Sequence, residues 1–271
     1  MGLEEFANQH SIKEYQFLSR LIDLNDVYQK RLDIENKLCR YIDIRTYKDN
    51  HVEIKSDNNY INASWINMPN HHSFIATQGP LESTVEDFWT MCYTYDVKII
   101  VMLCKLDEDY KEKCANYWDA KMNNYKIEKK EDTIKIDKTL RMRIFKITNN
   151  NNGLSKKVIQ LHFVGWPDHS APKEICNPLI NIIKIVDKNR ERSPVIVHCS
   201  GGIGRTGTFI SIYNLYHEII KQINNQCLQE IKFSVMNLVR KLKEMRLYLV
   251  ENENQYNFIY QFANILLSQM N

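Results

Sequence analysis

Several signals that mark membrane and secreted proteins are missing from this sequence. No apolar run approaches the ~18 residues that a transmembrane helix needs. The first six residues include two glutamates and lack the apolar core of a secretory signal peptide. We therefore expect a cytoplasmic protein with no membrane partner.

The charge balance gives no indication of a nucleic-acid partner. The chain has 36 Lys and Arg residues and 33 Asp and Glu residues, so the formal net charge is only +3. The lysines are spread along the chain and interleaved with acidic residues, whereas a nucleic-acid-binding surface needs clustered basic residues. The sequence therefore predicts no nucleic-acid partner.

The seven cysteines form neither a disulfide framework nor a metal-binding pattern. Their number is odd, no Cys-x-x-Cys pair occurs, and their spacing matches no zinc site. This usage is typical of a reducing compartment, and we expect neither a metal nor a cofactor. The cysteines stand at positions 39, 92, 104, 114, 176, 199 and 227.

The remaining composition is that of an ordinary globular protein. Of the 271 residues, 44% are apolar and 25% are charged, which allows a large hydrophobic core. No internal repeat, low-complexity tract or linker divides the chain. We expect a monomer with a single domain over residues 1–271, in which residues 1–34 form a helical N-terminal extension.

Local patterns predict the order of helices and strands. Residues 11–14 (Ser-Ile-Lys-Glu) and 83–86 (Ser-Thr-Val-Glu) have the form of capping boxes, so a helix should begin at each, the first continuing to about Cys39. Alternating apolar residues between 125 and 166 predict antiparallel strands with a hairpin loop at 149–153. The other expected elements are strands near 59–64, 74–80 and 98–104 and helices at 177–189, 229–246 and 252–269.

The stretch from residue 194 to 210 has the pattern of a strand, a tight loop and a helix. Val195, Ile196 and Val197 form a short β-branched run, and apolar residues recur at helical spacing after Thr206. The loop between them, residues 199–205, contains three glycines. Such a turn points backbone N–H groups at one place in front of a helix N-terminus, so it predicts an anion site.

Two residues of this loop make the predicted anion site chemically reactive. Cys199 lies under the helix dipole and near Arg205, and both influences favour the nucleophilic thiolate. The planar guanidinium of Arg205 matches two phosphoryl oxygens. Cys-x5-Arg thus supplies a nucleophile and a phosphate cradle. The alternative is a buried structural cysteine beside a Gly-rich turn.

Residues 198–207, His-Cys-Ser-Gly-Gly-Ile-Gly-Arg-Thr-Gly, resemble the signature loop of the tyrosine-specific, cysteine-dependent protein phosphatases. Further stretches resemble other motifs of that family in the family's order, so the resemblance covers nearly all of residues 35–265. It implies an α/β (α+β) fold with a central, highly twisted mixed sheet flanked by helices. The further motifs are residues 40–43, 59–64, 74–80, 113–118 and 166–168.

The resemblance implies the catalytic roles. Cys199 attacks phosphorus, Arg205 and the loop amides hold the phosphoryl oxygens, and Thr206 stabilises the leaving thiolate. Asp168 protonates the phenolate, whose pKa is about 10, and then acts as base towards water. His198 and Trp166 support these groups, and the loop amides belong to Ser200, Gly201, Gly202, Ile203 and Gly204.

The resemblance also implies residues that bind the substrate. Tyr41 stacks on the phosphotyrosine ring and Asp43 bonds the substrate backbone. Lys113 points into the site near the catalytic acid, and Glu108 braces the catalytic arginine. Gln255 is the second glutamine of the family's Gln-x-x-x-Gln pair.

The sequence departs from the family pattern near its end. Glu251 replaces the first glutamine of that pair, which positions the hydrolytic water, and Tyr248 stands where many members have glycine. A glutamate in the site should slow hydrolysis of the intermediate. In the alternative, Glu251 points into solvent and Gln255 orients the water alone. Two smaller departures are Cys39 in place of asparagine and Gly201 in place of alanine.

The leading hypothesis is an active protein tyrosine phosphatase whose partners are tyrosine-phosphorylated proteins. The alternative is a slow or inactive phosphotyrosine-binding module, which only Glu251 supports. A thiol redox protein is disfavoured because no second cysteine stands beside Cys199. The chain also resembles the single-domain phosphatases of parasitoid-wasp bracoviruses, some of them inactive; such a member acts in the host cell cytoplasm.

Overall fold

The computed structural model describes residues 5, 9–21, 29–68, 72–167, 174, 176–224 and 230–270. Asp168 lies outside the described residues. Ten strands are present in the described part of the chain. They are β1 (Ala63–Asn67), β2 (Ser73–Thr77), β3 (Ile99–Met102), β4 (Asp107–Glu108), β5 (Lys111–Glu112), β6 (Tyr125–Lys129), β7 (Ile134–Lys135), β8 (Leu140–Asn149), β9 (Ser155–Phe163) and β10 (Val195–His198).

Eight strands form one mixed sheet in the order β1-β2-β10-β3-β9-β8-β6, with β7 paired to β8. The strands from β2 to β9 in this order pair in parallel, and β1, β8, β6 and β7 pair antiparallel. Every residue of β3 and β10 is buried, as continuous apolar runs in a parallel sheet require. β4 and β5 form a separate antiparallel hairpin.

Six α-helices of eight or more residues lie in the described part of the chain. They are α1 (Ser11–Arg20), α2 (Val85–Thr94), α3 (Cys176–Asn189), α4 (Gly204–Ile223), α5 (Val235–Met245) and α6 (Glu253–Ser268). None of the described helices is long and apolar enough to cross a bilayer. The mixed sheet with its helices confirms the expected α/β class and the antiparallel strands between 125 and 166.

The capping boxes are wrong in detail, although helices begin near both. His10 is the N-cap residue of α1, without a side-chain cap, and the Ser11 hydroxyl instead donates to Asn257 Oδ1 at 3.1 Å. Before α2, the Thr84 hydroxyl accepts from the Leu81 N–H at 3.0 Å, and Glu86 accepts from the Asn124 N–H at 2.6 Å. Tertiary partners therefore take the side chains of Ser11 and Glu86, and the local bond before α2 is made by Thr84 instead of Ser83.

Two predicted helices are shorter than expected. The N-terminal helix does not continue to Cys39: α1 ends at Arg20, and residues 31–35 are not helical, because Arg31 pairs with Tyr47 in an isolated β-bridge. α5 begins at Val235 rather than near residue 229, since the Ser234 hydroxyl caps it by accepting the Asn237 N–H at 3.2 Å.

The sheet brings the chemically active segments to one edge. β3, β9 and β10 run parallel, so their carboxyl ends lie at the same side. Cys199 directly follows β10, Trp166 follows β9, and the β4–β5 hairpin after β3 carries Glu108. Polar side chains that are far apart in the sequence therefore converge there, at the usual ligand-binding edge of such sheets.

Candidate active site

The loop at residues 199–203 connects β10 to α4, and its tight course requires glycine at one position. Gly202 has φ +69°, and a Cβ atom there would lie 2.1 Å from the Thr77 carbonyl oxygen. Only glycine combines this backbone conformation with so close an approach. The loop is therefore packed directly on the end of β2.

Arg246 holds the inner side of the loop. Its side chain is fully buried, and it donates to the carbonyl oxygens of Gly202 at 2.9 Å and Gly201 at 3.3 Å. It also bonds Asn62 Oδ1 at 2.8 Å and Ser64 Oγ at 3.1 Å. These bonds direct the two loop carbonyls towards Arg246. A carbonyl oxygen that faced a bound anion would repel it. Burial lowers the pKa of Arg246 to about 10.

Cys199 lies in a small pocket at the carboxyl end of β10. Its residue is 4% exposed, and its sulfur accepts a hydrogen bond from the Thr206 hydroxyl at 3.3 Å. The pocket has a volume of about 110 Å³. It is lined by Tyr41, Ile44, Cys199, Ser200, Gly201, Ile203, Gly204, Arg205 and Glu251. The pocket is therefore formed by the signature loop, by Tyr41 and Ile44, and by Glu251.

Arg205 is fixed by a bidentate ion pair. Its two terminal nitrogens donate to Glu108 Oε1 at 2.7 Å and Oε2 at 3.0 Å, and Nη1 also donates to the Trp166 carbonyl at 3.1 Å. Burial alone would lower the pKa of Arg205, but the Glu108 hydrogen bond and the nearby cysteines raise it overall. The structure thus holds the Arg205 guanidinium between the Glu108 carboxylate and the Trp166 carbonyl.

His198 belongs to a buried chain of hydrogen bonds. Its Nδ1 lies 3.1 Å from the Cys199 carbonyl, which can only accept, so Nδ1 is assigned the proton. Nε2 then accepts from the Tyr117 hydroxyl at 3.0 Å, and the Tyr117 oxygen accepts from Gln160 at 2.6 Å. Burial lowers the pKa of His198 to about 3. His198 is therefore neutral at physiological pH and supports the Cys199 backbone.

Tyr41 borders the pocket from the opposite side. Its side chain is 40% exposed, and its hydroxyl lies 3.0 Å from Ser200 Oγ. Arg40 secures this segment by donating to the Gly79 carbonyl and to Glu112 Oε1, both at 3.0 Å. Asp43 is exposed and borders an adjacent surface cavity.

Glu251 and Gln255 lie against the start of α4. A Cβ atom on Gly204 would be 2.6 Å from Glu251 Oε2 and 2.8 Å from Gln255 Nε2. Gln255 Oε1 accepts the Glu251 N–H at 2.9 Å, which ties the two residues together. Glu251 lines the Cys199 pocket and is at the same time exposed to solvent.

Lys113 is a predicted substrate-binding residue that the structure does not place in the lining of the pocket. Lys113 is 9% exposed, its backbone N–H donates to the Leu106 carbonyl at 2.7 Å, and it is not among the described residues that line the pocket. Asp168 lies outside the described residues. Within the described ranges, no group of three His, Cys, Asp or Glu side chains could hold a metal ion. The six described cysteines are free and buried.

Three residues that contact this site were not identified from the sequence: Arg40, Tyr117 and Arg246. Tyr117 lies within the motif at 113–118, whose spacing could have indicated a second functional residue. Arg246 stands between Met245 and Leu247, and a cation in an apolar stretch is the signal that could have indicated burial.

Comparison with known proteins agrees with this geometry. Residues 35–264 match the family model described as protein-tyrosine phosphatase. Tyrosine-protein phosphatase non-receptor type 20 of Rattus norvegicus is 31% identical over 268 residues, covering 96% of this chain and 61% of that protein. Phosphatidylinositol phosphatase PTPRQ of Rattus norvegicus is 37% identical over 285 residues, covering 98% of this chain and 12% of that protein. The chain thus spans about three-fifths or less of the length of these relatives.

The fold is also similar to a solved structure. The catalytic domain of human protein tyrosine phosphatase non-receptor type 18 superposes with a TM-score of 0.83 at 22% identity, covering 98% of this chain and 100% of that one. At this identity the likeness concerns the fold. Because the family model matches residues 35–264, most of the chain, this chain belongs to the protein-tyrosine phosphatase family.

Proposed function

We propose that the chain is an active protein tyrosine phosphatase that hydrolyses phosphotyrosine in proteins through a cysteinyl-phosphate. One observation carries the proposal: the Cys199 sulfur, bonded by Thr206, shares a pocket with an arginine that Glu108 orients. A nucleophile and a fixed cation beside one small cavity are what phosphoryl transfer requires.

In the first step the Cys199 thiolate attacks phosphorus and the bond between phosphorus and the phenolic oxygen breaks. Arg205 and the N–H groups of the loop hold the phosphoryl oxygens, and Asp168 gives its proton to the departing phenolate. The charge on the phosphoryl group is neutralised by Arg205 and the loop amides, so the proposed step uses no metal. The loop N–H groups are those of Ser200, Gly201, Gly202, Ile203 and Gly204.

In the second step water attacks the cysteinyl-phosphate and the sulfur–phosphorus bond breaks. Asp168, now ionised, takes the proton of the water, and inorganic phosphate is released. Thr206 stabilises the departing thiolate with the hydrogen bond that it makes to the sulfur. Gln255 orients the water, and Glu251 lies beside it.

The substrate is a phosphotyrosine side chain of another protein. Tyr41 forms the wall on which the phosphotyrosine ring stacks, Asp43 binds the peptide backbone, and Lys113 lies near the catalytic acid. The phosphatase PTPN18 forms a complex with HER2 phosphopeptides, and this supports phosphorylated proteins as partners here. Tyr41 makes the pocket deep, so the long phosphotyrosine reaches Cys199 and the shorter phosphoserine does not.

We further propose that residues 1–271 form one domain, acting as a monomer in signalling in the cytoplasm. The non-receptor relatives support this location, and six free buried cysteines are compatible with a reducing environment. The alternative function, a slow phosphotyrosine-binding module, has its support in the Glu251 carboxylate at the pocket.

The test is hydrolysis of p-nitrophenyl phosphate by the chain with and without EDTA. We expect phosphate release at the same rate in both conditions. Loss of activity in EDTA would contradict the metal-free mechanism, and no release in either condition would favour the binding module.

A further inference from the structure

The turn that presents Glu251 to the pocket has an unusual backbone. Val250 has φ +62°, and Tyr248 has φ +66°. A β-branched residue in the left-handed region is a conformational outlier that persists only where surrounding contacts enforce it. The strain lies one residue before Glu251, so the contacts that enforce it also position the Glu251 backbone.

Three residues contact the backbone of the Val250–Glu251 turn: Ile203, Lys243 and Tyr15. The Val250 N–H donates to the Ile203 carbonyl in the signature loop at 3.3 Å. The Lys243 ammonium, 7% exposed, donates to the Val250 carbonyl at 3.0 Å. The Tyr15 hydroxyl donates to the Glu251 carbonyl at 2.5 Å and lies 3.2 Å from the Val250 carbonyl.

Tyr15 comes from the N-terminal helix α1, far from the signature loop in sequence. The centroid of its ring lies 5.2 Å from Lys243 Nζ, so the two side chains that bond the turn also contact each other. Burial lowers the pKa of Lys243 to about 8, and its ammonium remains the main form at neutral pH. The tyrosine and the lysine therefore form one clamp on the turn.

Helix α1 is itself anchored on α6, the helix that carries Gln255. The Glu14 carboxylate accepts hydroxyl hydrogen bonds from Tyr256 at 2.7 Å and from Tyr260 at 2.5 Å. Ser11 bonds Asn257, and Leu18 is 2% exposed. Positions 11, 14, 15 and 18 share one helix face, so docking of this face brings the Tyr15 hydroxyl to the turn.

We propose that Tyr15 is a positioning residue for hydrolysis of the cysteinyl-phosphate: by holding the Val250–Glu251 turn, whose Glu251 N–H donates to Gln255 Oε1, it sets the Gln255 amide against Gly204, where the attacking water is oriented. This inference rests on the proposed phosphatase function. It gives the N-terminal helix a role in the second chemical step, because the Tyr15 hydroxyl contacts the turn whose Glu251 N–H bonds Gln255.

The experiment compares Tyr15→Phe with Tyr260→Phe in the full chain. Each variant loses one hydroxyl from the contacts of α1, but only Tyr15→Phe loses the bond to the turn. With p-nitrophenyl phosphate as substrate and methanol as a competing acceptor, we measure the ratio of methyl phosphate to inorganic phosphate, and the rates of the burst and steady phases. The ratio reports how selectively water is positioned, whichever step limits the rate.

We expect Tyr15→Phe to keep the rate of the first step, to slow hydrolysis roughly fivefold, the equivalent of one hydrogen bond, and to raise the methyl phosphate fraction. Tyr260→Phe should match the unchanged chain in the rate of the first step, the rate of hydrolysis and the methyl phosphate fraction. An unaltered ratio in Tyr15→Phe, or an equal change in Tyr260→Phe, overturns the inference while leaving the phosphatase function intact. If the unchanged chain releases no phenolate, the proposed function fails, and the inference fails with it.

Discussion

Glu108 accepts two hydrogen bonds from the Arg205 guanidinium, at 2.7 and 3.0 Å, where the arginine is only 2% exposed. The pair joins the β4–β5 hairpin to the start of α4. A planar fork held on one edge presents its other N–H groups in a fixed direction. The geometry of the phosphate cradle therefore depends on a residue 97 positions away in sequence.

Glu108→Gln should impair catalysis, because the amide replaces one charged acceptor by a donor that faces Arg205. We expect kcat/KM to fall by about 10- to 100-fold, the equivalent of about 1–3 kcal/mol for a disturbed buried charged hydrogen bond. The matched control is Glu112→Gln, since Glu112 makes a salt bridge to Arg40 but is half-exposed. Equal effects of both changes on kcat/KM would argue against a specific role for Glu108.

Cys199→Ser should abolish turnover and retain phosphopeptide binding, because a serine hydroxyl is not ionised at neutral pH. Steady-state hydrolysis of p-nitrophenyl phosphate and calorimetric binding of a phosphotyrosine peptide measure the two properties. Substantial remaining turnover in this variant would refute the covalent mechanism.

Asp168→Ala should lower turnover of phosphotyrosine by about 10²–10⁴, the usual contribution of general acid catalysis. The loss should shrink for esters whose leaving groups are more acidic, since those need less protonation. Rates for a series of aryl phosphates give the dependence on the pKa of the leaving group. A loss of the same size across the series would indicate a structural role.

Tyr41→Ala should weaken phosphotyrosine binding by roughly 1 kcal/mol, through loss of the aromatic contact with the substrate ring. It also removes the hydroxyl that lies 3.0 Å from Ser200. Tyr41→Phe is the matched control, because it removes that hydroxyl and keeps the ring. Peptide binding and rates on phosphotyrosine and phosphoserine peptides are the measurements, and equal rates on both peptides in the unchanged chain would contradict the proposed specificity.

Glu251→Gln should accelerate hydrolysis of the intermediate about tenfold. An ionised glutamate only accepts hydrogen bonds, whereas glutamine also donates, and the glutamate adds negative charge beside the phosphoryl group. Pre-steady-state kinetics with a chromogenic ester should show a phenolate burst equal to the enzyme concentration, followed by a slow phase that the substitution accelerates. Glu253→Gln, in the first turn of α6, is the control. The idea is wrong if no burst occurs and Glu251→Gln leaves the steady rate unchanged.

The sequence alone determined the parts of the site that are contiguous in the chain. The β-branched run 195–197, the glycines of the loop and the helical spacing after Thr206 specify a strand, a turn and a helix, and the structure contains β10 and α4 at those places. Alternation between 125 and 166 likewise identified antiparallel strands. These patterns are readable because both the hydrogen bonds and the buried faces repeat locally.

Only the tertiary structure decided which distant side chains meet. Arg246 supports the loop from 44 positions away, and Tyr117 reaches His198 across 81. Nothing local in their surroundings encodes these partners. The capping boxes failed for the same reason, since Asn257 takes the Ser11 hydroxyl. The contact of Tyr15 with the Val250–Glu251 turn, and the left-handed backbone of Val250, depend on the docking of α1 beside that turn. A local pattern determines which element forms, whereas side-chain partners depend on how the elements pack around a shared core.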